Sequence, residues 1–471
     1  MNTPVVDFVR RYAQQRTTRM HMPGHKGRGP LGCEALDITE IAGADELYEA
    51  EGIIAQSEAN ATQLFGTART YYSTEGSSQC IRAMLHLALQ MRPAKADRPV
   101  LLAARNAHKA LLYAAALLDF DIQWLWPAPD AAGALCTCPV EPEALPSALD
   151  ELAAEGRTPF GVYLTSPDYL GFVQDVAGLS AVCHAHGLPL LVDNAHGAYL
   201  HFLKEGGRHP IQLGADLCCD SAHKTLPVLT GGAYLHLGTS VQADEATVRN
   251  ALALFGSTSP SYLILQSLDA ANAVLADGFR EKLDICRWRL GMLCRELDAL
   301  RPGLALPLTG AHREPLKLTL DAAALGLSGQ QLAQALRERG GEREHADPRY
   351  VVLMPSAESS AAEFACLQTA LHAICDEAPS ADVSVTADDP AAFAALAGAL
   401  EAQPRRFTIR EAVLAPQEMI PAAEAVGRIC AAPAVSCPPA IPIVVSGETV
   451  PPEALPLFAR YGIEKAAVVK E

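Results

Sequence analysis

The chain has 471 residues, a formal net charge of −17 and a hydrophobic share of 49%. That length predicts two or three domains with ample core material; no apolar run is long enough to cross a bilayer, so no membrane partner is expected. The acidic balance, without any lysine/arginine block, speaks against a nucleic-acid partner, and thirteen cysteines without a Cys-x-x-Cys pair fit free thiols in a reducing, cytoplasmic compartment.

In chain order, residues 1–30 read as an N-terminal arm, with a short helix through 5–12 followed by a glycine- and proline-rich loop. From 31 to about 300, short apolar strands alternate with helical patterns. Candidate strands are 99–103, 122–126, 161–165, 188–192, 215–219 and 232–237, and residues 77–90 and 179–186 have helical spacing. This rhythm predicts an α/β large domain with a mostly parallel sheet covered on both faces. Arg301-Pro302-Gly303 then breaks the pattern. Strands at 315–320 and 349–354 with helices at 330–337 and 363–375 make a smaller α+β domain over 301–402. A proline-rich segment, 403–471, contains the apolar run Ile441-Pro442-Ile443-Val444-Val445.

The most telling run is Cys218-Cys219-Asp220-Ser221-Ala222-His223-Lys224. An apolar strand end breaks into small polar residues and then a lysine, which is where an α/β enzyme places an imine-forming amine. Most lysines are solvated surface charges, and Lys224 stands out because of Asp193. The run Leu190-Leu191-Val192-Asp193 ends a continuously apolar strand on a carboxylate that needs a cationic partner. The protonated pyridine nitrogen of pyridoxal 5'-phosphate is such a partner, and the pairing keeps the ring an electron sink. An amine in this role should be partly desolvated, which lowers its pKa below the usual value of about 10.4.

Thr74-Glu75-Gly76-Ser77-Ser78 opens a helix, and backbone N–H groups with hydroxyls at a helix start bind phosphate. A serine there is often only a cap, but Lys224 downstream favours the phosphate reading. Zinc on Cys183, His184 and His186 lacks a matching second half-site, so no metal is expected.

These segments resemble the Orn/Lys/Arg decarboxylase family, pyridoxal-phosphate enzymes of the aspartate-aminotransferase-like fold type I. The resemblance spans nearly the whole chain. It also rests on His21-Met22-Pro23-Gly24-His25-Lys26-Gly27, Asn106-Ala107-His108-Lys109, Asn194-Ala195-His196, Thr258-Ser259-Pro260-Ser261-Tyr262, Glu424-Ala425-Val426-Gly427-Arg428 and Pro438-Pro439-Ala440-Ile441-Pro442. It implies a 31–300 cofactor-binding large domain of the fold type I transferase kind and a decarboxylase-type segment over 403–471. It implies decarboxylation of arginine, lysine or ornithine by a homodimer or higher homo-oligomer, with Lys224, Asp193 and His108 catalytic. His108 stacks on the ring, His196 lies beside the cofactor, Gly76, Ser77 and Ser78 bind phosphate, and Ser221 and His223 help hold it and orient Lys224. The resemblance likewise implies that the loop at His21 to Gly27 lies at a dimer interface and that Thr258 reaches the partner's phosphate.

The chain departs from the family pattern at Glu75, Asn194, Tyr199, Cys437 and Ala440. For the cationic end of the substrate, Asp45, Glu46 and Glu49 are the candidate acids, beside the reading that they are merely solvated. An aminotransferase or β/γ-eliminase remains the alternative, because Lys224 and Asp193 serve those reactions equally.

Overall fold

The first seven strands are β1 (Arg69–Ser73), β2 (Val100–Ala104), β3 (Asp121–Leu125), β4 (Pro159–Thr165), β5 (Leu190–Asp193), β6 (Leu217–Asp220) and β7 (Ala233–Leu237). The computed structural model describes residues 1–92, 97–128, 135–204, 206–378, 390–403, 406–436 and 441–470. The chain divides into two units, Met1–Ala94 with Val176–Asp284 and Lys95–Asp175 with Ile285–Glu471.

In the first unit the strand order is β1-β7-β6-β5. β5 and β6 run parallel, with Asp193 in register with Cys219. β7 is antiparallel to both β1 and β6. The runs Leu-Leu-Val-Asp of β5 and Leu-Cys-Cys-Asp of β6 are buried at every position, as strands covered on both faces are. Each ends on an aspartate at the carboxyl edge, where open α/β sheets take their ligands. The helix Ser77–Met91 packs over β6 and β7, and its Ile81, Met84, Leu85 and Ala88 are buried at helical spacing.

The N-terminal helix, Pro4–Gln14, packs on this same unit. Val5, Val6 and Val9 are buried, its neighbours are the helices Ile53–Phe65 and Tyr262–Ala276, and the Val6 N–H donates to Asp269 at 3.0 Å. β1 did not stand out in the sequence. Its Arg-Thr-Tyr-Tyr-Ser run is polar by composition, yet it is buried after Arg69 by pairing with β7.

In the second unit β4, β2 and β3 are parallel and lie in that order. β8 (Leu318–Asp321), β9 (His345–Ala346) and β10 (Tyr350–Leu353) form an antiparallel sheet in the order β8-β10-β9. The helices Gly329–Glu338 and Ala361–Glu377 each open on a capping box, Ser328 with Gln331 and Ser360 with Glu363. Further along, β11 (Gln417–Pro421), β12 (Ala434–Ser436), β13 (Ile441–Val444) and β14 (Lys465–Val469) pair as β11 with β14 and β12 with β13. Ile441, Ile443, Val444, Leu457, Phe458 and Val468 share one core cluster. Cys437 to Ala440, with the departures noted at 437 and 440, lie outside the described residues.

Candidate active site

β5 and β6 bring the two central residues to one edge of the first unit. Asp193 is 3% exposed at the end of β5. Its Oδ1 accepts the Ala195 N–H at 3.1 Å and the Cys219 thiol at 3.6 Å. After β6, Ser221 leads into the single turn Ala222–Thr225, which carries Lys224. Lys224 Nζ lies 2.9 Å from His196 Nε2. The loop that carries His196 is tightened by a bond from the Gly197 N–H to the Asn194 carbonyl, at 2.8 Å. Burial pushes the Cys218 and Cys219 thiols well above their ordinary range, and the carboxylates of Asp220 and Asp193 add to it. Both therefore remain neutral packing groups beside the acids.

A cradle for an anion stands next to the turn. Gly76 precedes the helix Ser77–Met91 with φ 72° and ψ 178°, and no side chain caps the helix start. The N–H groups there are the ordinary anion site of a helix N-terminus. Ser221 Oγ donates to Ser77 Oγ at 2.8 Å, so both hydroxyls face this place. Gly76 donates its N–H to the Gly231 carbonyl at 2.7 Å. Gly231 has φ 101°, and a Cβ there would meet the Thr74 carbonyl oxygen at 3.0 Å. Glu75 does not intrude: its carboxylate accepts the Ser257 N–H at 2.5 Å. His223 binds the Gly232 carbonyl through both its N–H and its ring Nδ1, at 3.2 and 3.0 Å, which fixes the turn that carries Lys224.

Of the residues singled out in the sequence, Gly76, Ser77, Ser78, Asp193, His196, Ser221, His223 and Lys224 thus all belong to the first unit. His108 belongs to the second, where its Nδ1 accepts the Ala110 N–H at 3.2 Å and caps the helix Lys109–Leu118. Asp45 takes a different part from the one expected. Its carboxylate accepts N–H groups of Glu46, Glu51, Gly52 and Ile54 at 2.9–3.1 Å, and so organises the start of the helix Ile53–Phe65. In the Thr258 to Tyr262 run, Ser261 caps the helix Tyr262–Ala276, and Tyr262 donates its hydroxyl to the Asp45 carbonyl at 2.6 Å.

Sequence reasoning passed over Asp220. Its carboxylate accepts Asn194 Nδ2 at 2.6 Å and the Nε2 atoms of His209 and His236, each at 3.1 Å. The signal available was its position directly before Ser221; the two histidines are far from it in the chain.

An amine, a buried carboxylate at a neighbouring strand end and a phosphate cradle are the functions that pyridoxal phosphate needs from a protein. The residues present therefore fit that cofactor, and the fold and site define a fold type I enzyme. Residues 3–286 match the family model described as Orn/Lys/Arg decarboxylase, major domain, and the chain belongs to this family of pyridoxal-phosphate-dependent amino-acid decarboxylases.

The protein YaaO of Bacillus subtilis is 28% identical over 98% of this chain and 94% of its own length. The arginine decarboxylase of Bacillus subtilis is 28% identical over 96% of this chain and 92% of its length. Among solved structures, the constitutive lysine decarboxylase of Escherichia coli superposes with a TM-score of 0.77 over 100% of this chain and 82% of its own, at 19% identity. No helix among the described residues is long and apolar enough to cross a membrane.

Proposed function

We propose that the chain decarboxylates a basic amino acid, arginine, lysine or ornithine, to the corresponding amine and carbon dioxide, using pyridoxal 5'-phosphate. Arginine comes first among the three, because relatives that match along nearly the whole length carry the name arginine decarboxylase. The observation that carries the reading is the Lys224–His196 contact at 2.9 Å, in the same unit as Asp193 and the Ser77–Ser221 hydroxyl pair.

When bound, the cofactor supplies an electron sink for the pair released as the Cα–carboxylate bond breaks. The chain's own residues do the rest. Ser77 and Ser78, at the uncapped helix start, and the Ser221 hydroxyl hold the phosphate. Asp193 keeps the ring nitrogen protonated, because its charge is buried and finds its counter-charge there. Lys224 offers its amine for covalent attachment of the cofactor. His196, at 2.9 Å, holds or passes the proton that Nζ gains or loses. Proton return to Cα then falls to Lys224 or His196. His108 stacks on the ring, as the resemblance implies. Burial behind the strand ends excludes water from the carboxylate–nitrogen pair and so strengthens it.

The enzyme works in the cytoplasm as a homodimer or higher homo-oligomer. Support for the oligomer comes from apolar side chains in and beside the His21 to Gly27 loop: Met20, Met22 and Leu31 are 88%, 58% and 82% exposed, surface of the kind that interfaces cover. Light scattering should give at least a dimer, and a fully active monomer refutes that part. The activity is tested by loading the protein with cofactor, offering arginine, lysine and ornithine separately, and measuring released carbon dioxide. Release from at least one is expected. Consumption of a keto acid with no carbon dioxide from any of the three establishes the aminotransferase instead.

A further inference from the structure

Asp220 is fully buried, and its carboxylate lies at the centre of a set of donors. Burial alone would raise its pKa, but His209 and His236 outweigh burial and hold it below the usual carboxylate range. The Cys218 thiol donates to Oδ1 at 3.8 Å. Asn194 Nδ2 reaches Oδ1 at 2.6 Å, and the two imidazole Nε2 atoms reach Oδ2 at 3.1 Å each. The far sides of the rings are engaged as well. His209 Nδ1 accepts the Ile211 N–H at 3.4 Å, and His236 Nδ1 lies 2.8 Å from the Thr70 hydroxyl. Both rings present Nε2 to one oxygen, Oδ2 of Asp220.

The place of this hub in the chain gives it a consequence for the reaction. Asp220 is the last residue of β6, immediately before the Ser221 to Lys224 turn. Asn194 immediately follows Asp193, the last residue of β5. Asn194 is clipped to β6 twice, by its N–H to the Cys219 carbonyl at 2.9 Å and by its side chain to Asp220. One buried carboxylate thus ties together the two strand ends that deliver Asp193 and His196 on one side and Lys224 on the other.

An apolar cluster would hold two strands together at less cost in desolvation. Directional bonds to a charge additionally set the angle between the loops. We propose that Asp220 and Asn194 are positioning residues that fix the Asp193–His196 loop against the Lys224 turn, with His209 and His236 holding the Asp220 carboxylate in its orientation. This rests on the reading that Asp193 and Lys224 act on one cofactor.

The test exchanges the two partners. Asn194→Asp sets a second carboxylate against Asp220, and the double variant Asn194→Asp with Asp220→Asn restores a carboxylate–amide pair in the opposite sense. Holoenzyme kinetics are measured per trapped cofactor. Visible circular dichroism of the bound cofactor and spectrophotometric cofactor titration of the apoenzyme supply readouts apart from turnover.

The single variant should lose at least tenfold in kcat with KM changed less than twofold, and its visible dichroism should shift. The double variant should recover at least threefold of the loss and return the dichroism toward the native sign and size. Wild-type kcat and dichroism in Asn194→Asp overturn the proposal, as does a double variant no better than the single. If Asn194→Asp fails to fold, Asn194→Ser, which removes the amide without adding charge, must show the same loss in kcat and the same dichroic shift. Failure of both to fold marks the network as structural only and also overturns it. Wild-type protein that binds cofactor but releases no carbon dioxide fails the decarboxylase reading alone, while the dichroism of the variants still decides the positioning role.

Discussion

Asp193→Asn separates the chemistry from the fold. The asparagine keeps the shape of the side chain and an oxygen able to accept the Ala195 N–H, now made at 3.1 Å. What it loses on the folding side is the charge assistance to that bond and to the weak Cys219 thiol contact at 3.6 Å. The cost to stability should stay within about 1 kcal/mol, a shift of roughly 1 °C in Tm for a chain of 471 residues. The amide cannot keep a pyridine nitrogen protonated at a buried site. Removing one preorganised electrostatic contact from a transition state costs about 3–4 kcal/mol, or roughly 10²–10³ in rate. The assay is carbon dioxide release at saturating and limiting substrate, with Tm followed by dichroism in the far ultraviolet. A fall of that order in kcat with Tm nearly unchanged is expected. Turnover at the wild-type rate, or a loss that simply follows unfolding, refutes the role given to Asp193.

Ser221→Ala removes one hydroxyl from the phosphate cradle and frees Ser77 Oγ from its 2.8 Å bond. Cofactor affinity should weaken by about 1 kcal/mol, roughly fivefold, and an unchanged dissociation constant in apoenzyme titration counts against a phosphate contact. His201 supplies a pH prediction. Its pKa is pushed down to about 4, by burial first and then by His209, Arg280 and His236. A histidine whose folded pKa lies below its unfolded value of about 6.5 contributes stability that is present above pH 6.5 and lost as pH falls toward 4. The loss should reach up to about 3 kcal/mol. His201→Phe, at a site already flanked by Phe65 and Phe202, should flatten the fall in Tm over this window, and an unchanged pH slope rules the cause out.

The sheet was largely legible because parallel strands buried on both faces have no polar alternation to disguise them. Leu190–Asp193 announced itself as an apolar run ending on a charge, and Leu217 to Cys219 as an apolar strand end breaking into polar residues. Lys224, Asp193 and the Ser77 helix start were readable for a related reason: each is a polar residue placed where an apolar pattern stops.

Partnerships were harder to see. β1 is a strand by virtue of β7, with which Tyr71 and Tyr72 pair at Leu235 and Tyr234. Asp45, in an acidic loop, read as a candidate for the substrate's cationic end or as a solvated charge, and only its backbone partners reveal a helix-start organiser. Asp220 was invisible as a hub because Thr70, Asn194, His209 and His236 come from four separate segments. Each first unit neighbour of that hub is ordinary in its own local pattern, and only the fold gathers them. The grouping of Met1–Ala94 with Val176–Asp284 likewise leaves no mark in hydropathy.

The central claim is that Lys224 carries the cofactor at the junction of β5 and β6. Purified protein incubated with pyridoxal phosphate should turn yellow, and borohydride should then fix the cofactor irreversibly. Peptide mapping by mass spectrometry should find the reduced adduct on Lys224 at about one per chain, with none in Lys224→Ala. An adduct on another lysine, or none in the wild-type protein, contradicts the account.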